Sequence, residues 1–281
     1  MMKLNSKIFL FPVALSFCAT ASLDAAPGGV GKRAIVIGAS SGMGREVARL
    51  IGREGYSVGL VARRLPLLES LRAEIPNAYV QQIDVTDPQA RTKLAALIRD
   101  MGGLDLIVIS ISAYFDNRDE PTDYSTDHDA WQAKERTLKV DALGFIAMAD
   151  LAMEVFIRQN HGHLVGISST SGLRGFASNP VYSGAKACIS YYMEGLRARM
   201  KRDGINVQIT DIIPHFVAVE HSPIGEDPNA YWEITCGDAG RQIIAAIESK
   251  KKVAYVPGKA WLISWLKHIP DRVFYRYFNW H

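Results

Sequence analysis

Tyr182 and Lys186 stand four residues apart in the stretch Tyr182-Ser183-Gly184-Ala185-Lys186. On a helix that spacing puts both side chains on one face, a single turn apart. A phenol, with an ordinary pKa of ~10, is a poor base at neutral pH, so a tyrosine that handles protons needs a neighbour favouring its phenolate. The Lys186 ammonium is such a neighbour. The pair is suited to giving a proton to a carbonyl oxygen as hydride arrives, or to taking it back from an alcohol. Tyr255 and Lys259 share the spacing, but Pro257 and Gly258 lie between them, and a helix is not expected to run through that pair.

The elements that must position Tyr182 and Lys186 follow from the apolar pattern. Residues 33–37 form a short apolar run closing on Gly38, and 45–53 carry Val47, Ala48, Leu50 and Ile51 at helical spacing. Strands at 58–62, 79–83 and 104–109 alternate with helices at 65–75 and 88–101. A long helix is expected over 131–159, carrying Val140, Leu143, Phe145, Ile146 and Leu151. Strand 164–167, helix 181–201, strand 207–213, helix 235–249 and strand 252–256 complete the series. Repeated strand and helix predict an α/β fold of the doubly wound, Rossmann-like kind, with a parallel sheet in a single domain over 31–257. The polar stretch 116–129 reads as a loop over the carboxyl edge of that sheet.

The turn Gly38-Ala39-Ser40-Ser41-Gly42-Met43-Gly44 follows a strand and opens a helix. In that context glycines let the backbone approach a pyrophosphate held at a helix N-terminus. At the end of the second strand, where a carboxylate would hold a ribose 2′-hydroxyl, Ala62 is followed by Arg63 and Arg64. A guanidinium there suits a 2′-phosphate and therefore NADP(H) over NAD; the alternative is a surface arginine pair ahead of a helix. Asp84 after the third strand is placed either to meet the adenine side or to cap the turn at Thr86 and Asp87.

Gly38, Gly42 and Gly44, the pair Ser168-Ser169, and Tyr182 with Lys186 occur in the order and spacing of the short-chain dehydrogenase/reductase family, which the chain resembles over 32–256. The resemblance implies an NADP(H)-dependent oxidoreductase interconverting a ketone or aldehyde and an alcohol, and a dimer or tetramer of the chain. It makes Ser169, thirteen positions before the tyrosine, the serine that holds the substrate oxygen, with Asp141 in the place of a usual asparagine. It assigns the cofactor to Gly38, Ser40, Ser41, Gly42, Met43, Gly44, Arg63, Arg64, Asp84, Val85, Ser110, Tyr182, Lys186 and Pro214. Three positions depart from the family pattern: Asp141 itself, Ile109-Ser110-Ile111-Ser112 for the usual Asn-Asn-Ala-Gly, and Pro214-His215 for the usual Pro-Gly. His215 is either a contact to substrate or nicotinamide, or a loop histidine without a duty. These departures leave open a protein that keeps the fold and the nucleotide as a catalytically impaired regulator or scaffold.

At 281 residues, 48% hydrophobic and 22% charged, the composition is that of an ordinary globular chain. A net charge of +3 gives no footprint for nucleic acid. Cys18, Cys188 and Cys236 show no metal-ligand spacing, so neither a disulfide framework nor a metal site is expected. Lys3 and Lys7 precede an apolar run over 8–21, so residues 1–30 read as a secretory signal or an uncleaved anchor, giving an exported or membrane-associated enzyme; the alternative is a cytoplasmic one. The tail 258–281 is expected to be helical and mixes Trp261, Trp265, Phe274, Tyr275, Tyr277, Phe278 and Trp280 with Lys267, Arg272 and Arg276. That mixture fits a cap over a substrate pocket, a dimer contact, or contact with a membrane surface.

Overall fold

The computed structural model describes residues 31–113, 128–218 and 232–277. The leader at 1–30, Cys18, nearly all of the polar stretch 116–129, Phe278 and Trp280 lie outside these residues. In chain order the elements are β1 (Arg33–Ile37), α1 (Gly42–Arg53), β2 (Ser57–Ala62), α2 (Leu65–Arg72), β3 (Ala78–Gln82), α3 (Ala90–Asp100) and β4 (Leu106–Ile109). Helix α4 (His128–Thr137), a π-helical turn (Leu138–Gly144) and α5 (Phe145–Gln159) follow without a break. Then come β5 (His163–Ile167), a 3-10 turn (Thr170–Gly172), α6 (Pro180–Asp203), β6 (Gln208–Pro214), β7 (Val217–Ala218), β8 (Ile234–Thr235), α7 (Cys236–Glu248) and β9 (Val253–Val256). A 3-10 segment (Gly258–His268) and α8 (Asp271–Tyr277) form the helical C-terminal extension.

Seven strands form one sheet in the order β3-β2-β1-β4-β5-β6-β9, with every neighbouring pair parallel. The doubly wound fold expected from the alternation is therefore present. Successive side chains of a strand point to opposite faces, so a sheet covered on both sides needs strands that are apolar throughout. Strand β1 shows the consequence: Ile35 and Ile37 pack with Phe145, Phe156 and Met193 on the face covered by α3, α5 and α6, whereas Ala34 and Val36 pack with Val47, Leu68 and Ile243 under α1, α2 and α7. Phe145 and Phe156 are wholly buried, and truncating either to alanine would cost about 3–5 kcal/mol.

The strand order reverses between β1 and β4, and ligands of open α/β sheets bind in the crevice beyond the carboxyl ends at such a reversal. Gly38, after β1, and Ser110, after β4, meet there.

Two expectations need correction. The helix expected to run to residue 75 ends at Arg72, because Pro76 disfavours helical geometry at Ile75 and the chain closes with three-residue bonds from the Glu74 and Ile75 amides. The helix expected over 131–159 contains the π-helical turn, whose i to i+5 bonding adds a residue and shifts the apolar register. Leu143, expected inside, is consequently 64% exposed, while Asp141 is buried. Tyr255 ends up on β9 and Lys259 in the 3-10 segment beyond Pro257, so they share no helical face.

Candidate active site

Helix α6 carries the two residues singled out first. Its start is written in Asn179-Pro180: the Asn179 Oδ1 accepts the Tyr182 N–H at 3.0 Å, and Pro180 takes the first turn, where its missing N–H costs nothing. One turn later the Lys186 Nζ lies 5.4 Å from the centre of the Tyr182 ring. Lys186 is 1% exposed and donates to the Ile111 carbonyl at 3.1 Å, which holds its charge under the phenol and away from water.

Strand β5 delivers the serine pair. Ser168 turns inward, donating to Asp211 Oδ1 at 2.6 Å and to the Ile212 carbonyl at 3.1 Å. Ser169, pointing the opposite way, caps the 3-10 turn by accepting the Ser171 N–H at 3.1 Å. That contact uses a lone pair and leaves the hydroxyl proton for a substrate oxygen. Gly172 in this turn sits directly on the α6 backbone at Lys186 and Ala187, where a methyl group would fall within 2.8 Å of backbone atoms. The serine turn and the tyrosine helix are thereby packed as one unit.

Asp141 completes the group from the π-helical turn. Its Oδ1 accepts the Ala113 N–H at 2.9 Å, its Oδ2 accepts from Ser112 Oγ at 3.5 Å, and Oδ2 lies 4.0 Å from Lys186 Nζ. Burial pushes this carboxyl above the usual range, against the opposing pull of Lys186 and of the bonds from Ala113 and Ser112.

At the other end of the crevice the glycine turn is tight. Gly38 has φ +92°, and a methyl group there would lie 2.0 Å from the Ser110 carbonyl oxygen; one on Gly44 would lie 2.3 Å from the Gly38 carbonyl oxygen. The backbone of β1, β4 and α1 can close up in this way only with glycine at both places. Arg64 reaches across the turn and donates to Ser40 Oγ at 2.9 Å and to Ser41 Oγ at 2.5 Å. Arg63 points elsewhere: its carbonyl accepts from Gln82 Nε2 at 2.8 Å, and its charge acts on Asp84. Asp84 Oδ1 accepts from both the amide (2.9 Å) and the hydroxyl (2.7 Å) of Thr86, the turn-forming contact that was one of its two expected roles. Burial would raise the Asp84 carboxyl, but the Thr86 bonds, Arg63 and Arg136 together hold it below the usual range. Val85 packs on Gly144, Met43 on the α1 core, and Pro214 closes β6 beside Val256. A glycine turn at a helix N-terminus, with hydroxyls and a guanidinium at its rim, fits the phosphates of a dinucleotide.

Comparison with known proteins places this geometry. The model of the short chain dehydrogenase family matches residues 32–223. The chain belongs to the short-chain dehydrogenase family. An uncharacterised oxidoreductase of Myxococcus xanthus is 34% identical over 196 residues, spanning 67% of this chain and 73% of the relative. Two solved structures share the fold at 18% identity and a TM-score of 0.67: a Sphingobium yanoikuyae short-chain dehydrogenase in complex with NADPH, covering 80% of this chain and 88% of that one, and an alcohol dehydrogenase of the archaeon Thermococcus sibiricus with 5-hydroxy-NADP, covering 80% and 96%.

The departures from the short-chain dehydrogenase pattern each have a local structure. Asp141 keeps the backbone contact to Ala113 that an amide oxygen could also make, and Ser110 meets Gly38 through its backbone carbonyl, so a different side chain there leaves the close approach intact. The imidazole Nδ1 of His215 is 3.0 Å from Thr170 Oγ1, next to Ser169, and its ring stands edge-on to Phe216 at 4.6 Å. Sequence reasoning missed Asp211, Asn179 and Arg174. Asn179 was readable as a cap before proline; Asp211 and Arg174 carry no local signal, because their partners are distant in the chain.

Proposed function

We propose that the chain is an NADP(H)-dependent oxidoreductase that interconverts an apolar ketone or aldehyde and its alcohol. The observation that carries this reading is the buried Lys186 beneath the Tyr182 ring, joined through Gly172 to the turn that presents Ser169. When bound, a reduced nicotinamide supplies the hydride. Tyr182 gives its proton to the carbonyl oxygen, and Ser169 donates a hydrogen bond to that oxygen as charge develops on it. Lys186, fixed by Ile111, supplies the positive charge that favours the phenolate left behind. Arg64 at the rim of the glycine turn favours a 2′-phosphate, in keeping with the NADP-type ligands named for the two solved structures.

NADPH consumption across ketones and aldehydes of increasing chain length tests this. Turnover by the native chain and a loss of about 10²–10⁴-fold in Tyr182→Phe are expected, with NADPH still bound. NADPH binding without turnover of any carbonyl compound would favour the nucleotide-binding scaffold instead.

A membrane-associated placement is proposed alongside. Among the described residues no helix is long and apolar enough to cross a membrane, but Trp261, Trp265, Tyr275 and Tyr277 are exposed on the C-terminal extension beside Lys267 and Arg276. Soluble fractionation of both the full chain and a form starting at Val30 would rule this placement out.

A further inference from the structure

The loop 173–179 joins the Ser169 turn to helix α6 and is gripped from two sides. On the inner side, Asn179 caps Tyr182, Ser183 Oγ accepts the Phe176 N–H at 3.3 Å, and the Ser183 N–H bonds the Asn179 carbonyl at 3.0 Å. On the outer side the partner is the C-terminal extension, nearly a hundred residues away in the chain. Arg174 Nη1 donates to the carbonyls of Leu266 at 3.0 Å and Ile269 at 2.7 Å, and its Nη2 pairs with Asp271 Oδ1 at 2.5 Å. Its guanidinium lies 4.4 Å from the centre of the Phe274 ring. Phe274 is wholly buried and meets Phe176 edge-on at 5.8 Å.

The chemistry of these contacts makes the grip firm. The Ile269 carbonyl lies past the last bond of the 3-10 segment, and the planar fork of one guanidinium takes it together with the Leu266 carbonyl, which also accepts the Ile269 N–H, and the first carboxylate of α8. The Arg174 side chain is only 15% exposed, so its bonds to the two carbonyls are largely shielded from water, whereas Asp271, 75% exposed, meets it at the surface. Releasing the loop would mean breaking them and exposing a buried phenylalanine. The loop in turn carries Asn179, whose side chain fixes the first turn of α6 and with it Tyr182.

We infer that the C-terminal extension is a brace on the loop between Ser169 and Tyr182, and that Arg174 is the positioning residue through which it sets the first turn of α6. The consequence for catalysis rests on the proposed role of Tyr182 as acid and base; the effect on the helix does not. The elements gripped here are separate from the Gly38 turn and Arg64, so nucleotide binding serves as an internal control.

Hydrogen exchange and kinetics on the full-length Arg174→Gln and Phe274→Ala variants test the inference. The amides of Tyr182 and Ser183 are expected to exchange at least about 10-fold faster in both, with amides of β1 and α1 unchanged. Carbonyl kcat should fall by about 10–100-fold with an NADPH Kd within about twofold of native, and Arg174→Lys should recover part of the loss. Native protection of those two amides in folded Arg174→Gln overturns the brace, as does faster exchange spread evenly over β1 and α1 with parallel loss of NADPH binding. A native chain that turns over no carbonyl compound defeats the proposed function alone, and exchange still decides the brace.

Discussion

Asp141 Oδ2 lies 4.0 Å from Lys186 Nζ, with both side chains almost wholly removed from solvent. A carboxylate there partly offsets the ammonium under Tyr182, and an amide would not. Oxidation of an alcohol needs the phenolate, so its rate rises with pH, and we expect Asp141→Asn to move that rising limb to lower pH than in the native enzyme. An unchanged pH-rate profile in the variant would refute this.

Arg64 sets the nucleotide preference through its place across Ser40 and Ser41. Arg64→Ala should weaken NADPH by about 10–100-fold, the range of a charge-assisted bond, and leave NADH affected by less than about threefold. Arg63→Ala should have the smaller effect, because the Arg63 charge acts on Asp84 and not on the glycine turn. Titration of both nucleotides against both variants measures the difference.

Gly38→Ala should be poorly tolerated, since a methyl group meets the Ser110 carbonyl and the φ of +92° is strained for any other residue. A loss of about 1–3 kcal/mol in urea unfolding is expected, together with weakened NADPH binding. Native stability in this variant would show that the approach of β1 to β4 can relax.

His163 gives the fold an acid-sensitive point. Burial, helped by Lys250, lowers its pKa from 6.5 to about 4, and Thr210 Oγ1, which donates to the Lys251 carbonyl, accepts from its Nε2 at 2.8 Å. The unfolded chain therefore binds the extra proton first, so the stability tied to the neutral ring is complete above pH 6.5 and is lost as pH falls toward 4. That loss amounts to about 3 kcal/mol. Urea unfolding between pH 7 and 4.5 should be visibly shallower in pH dependence for His163→Gln.

Much of this architecture was legible because parallel strands covered on both faces are written as unbroken apolar runs, as in 34–37 and 106–109, and because Tyr182 and Lys186 need only helical spacing to meet. The rest depended on contacts between distant residues. Arg174 reads as an ordinary surface arginine until the extension is folded onto it, and Asp211 reads as a break in an apolar strand until Ser168 is seen against it. Arg63 and Arg64 are indistinguishable as letters; only the direction of each side chain separates the one over the glycine turn from the one beside Asp84.

The wide turn at Leu138–Gly144 makes one helix unusually intolerant of a change in length. Each residue of a helix advances the chain by about 100°, so removing a single residue from this turn ahead of Asp141 would restore a regular spiral and swing the carboxylate that Ser112 and Lys186 both face by roughly a quarter of a revolution. A substitution in that stretch acts at one side chain, as a methyl group on Gly144 would against Val85, whereas a one-codon deletion would turn Asp141 away from Lys186 while leaving both residues in the sequence.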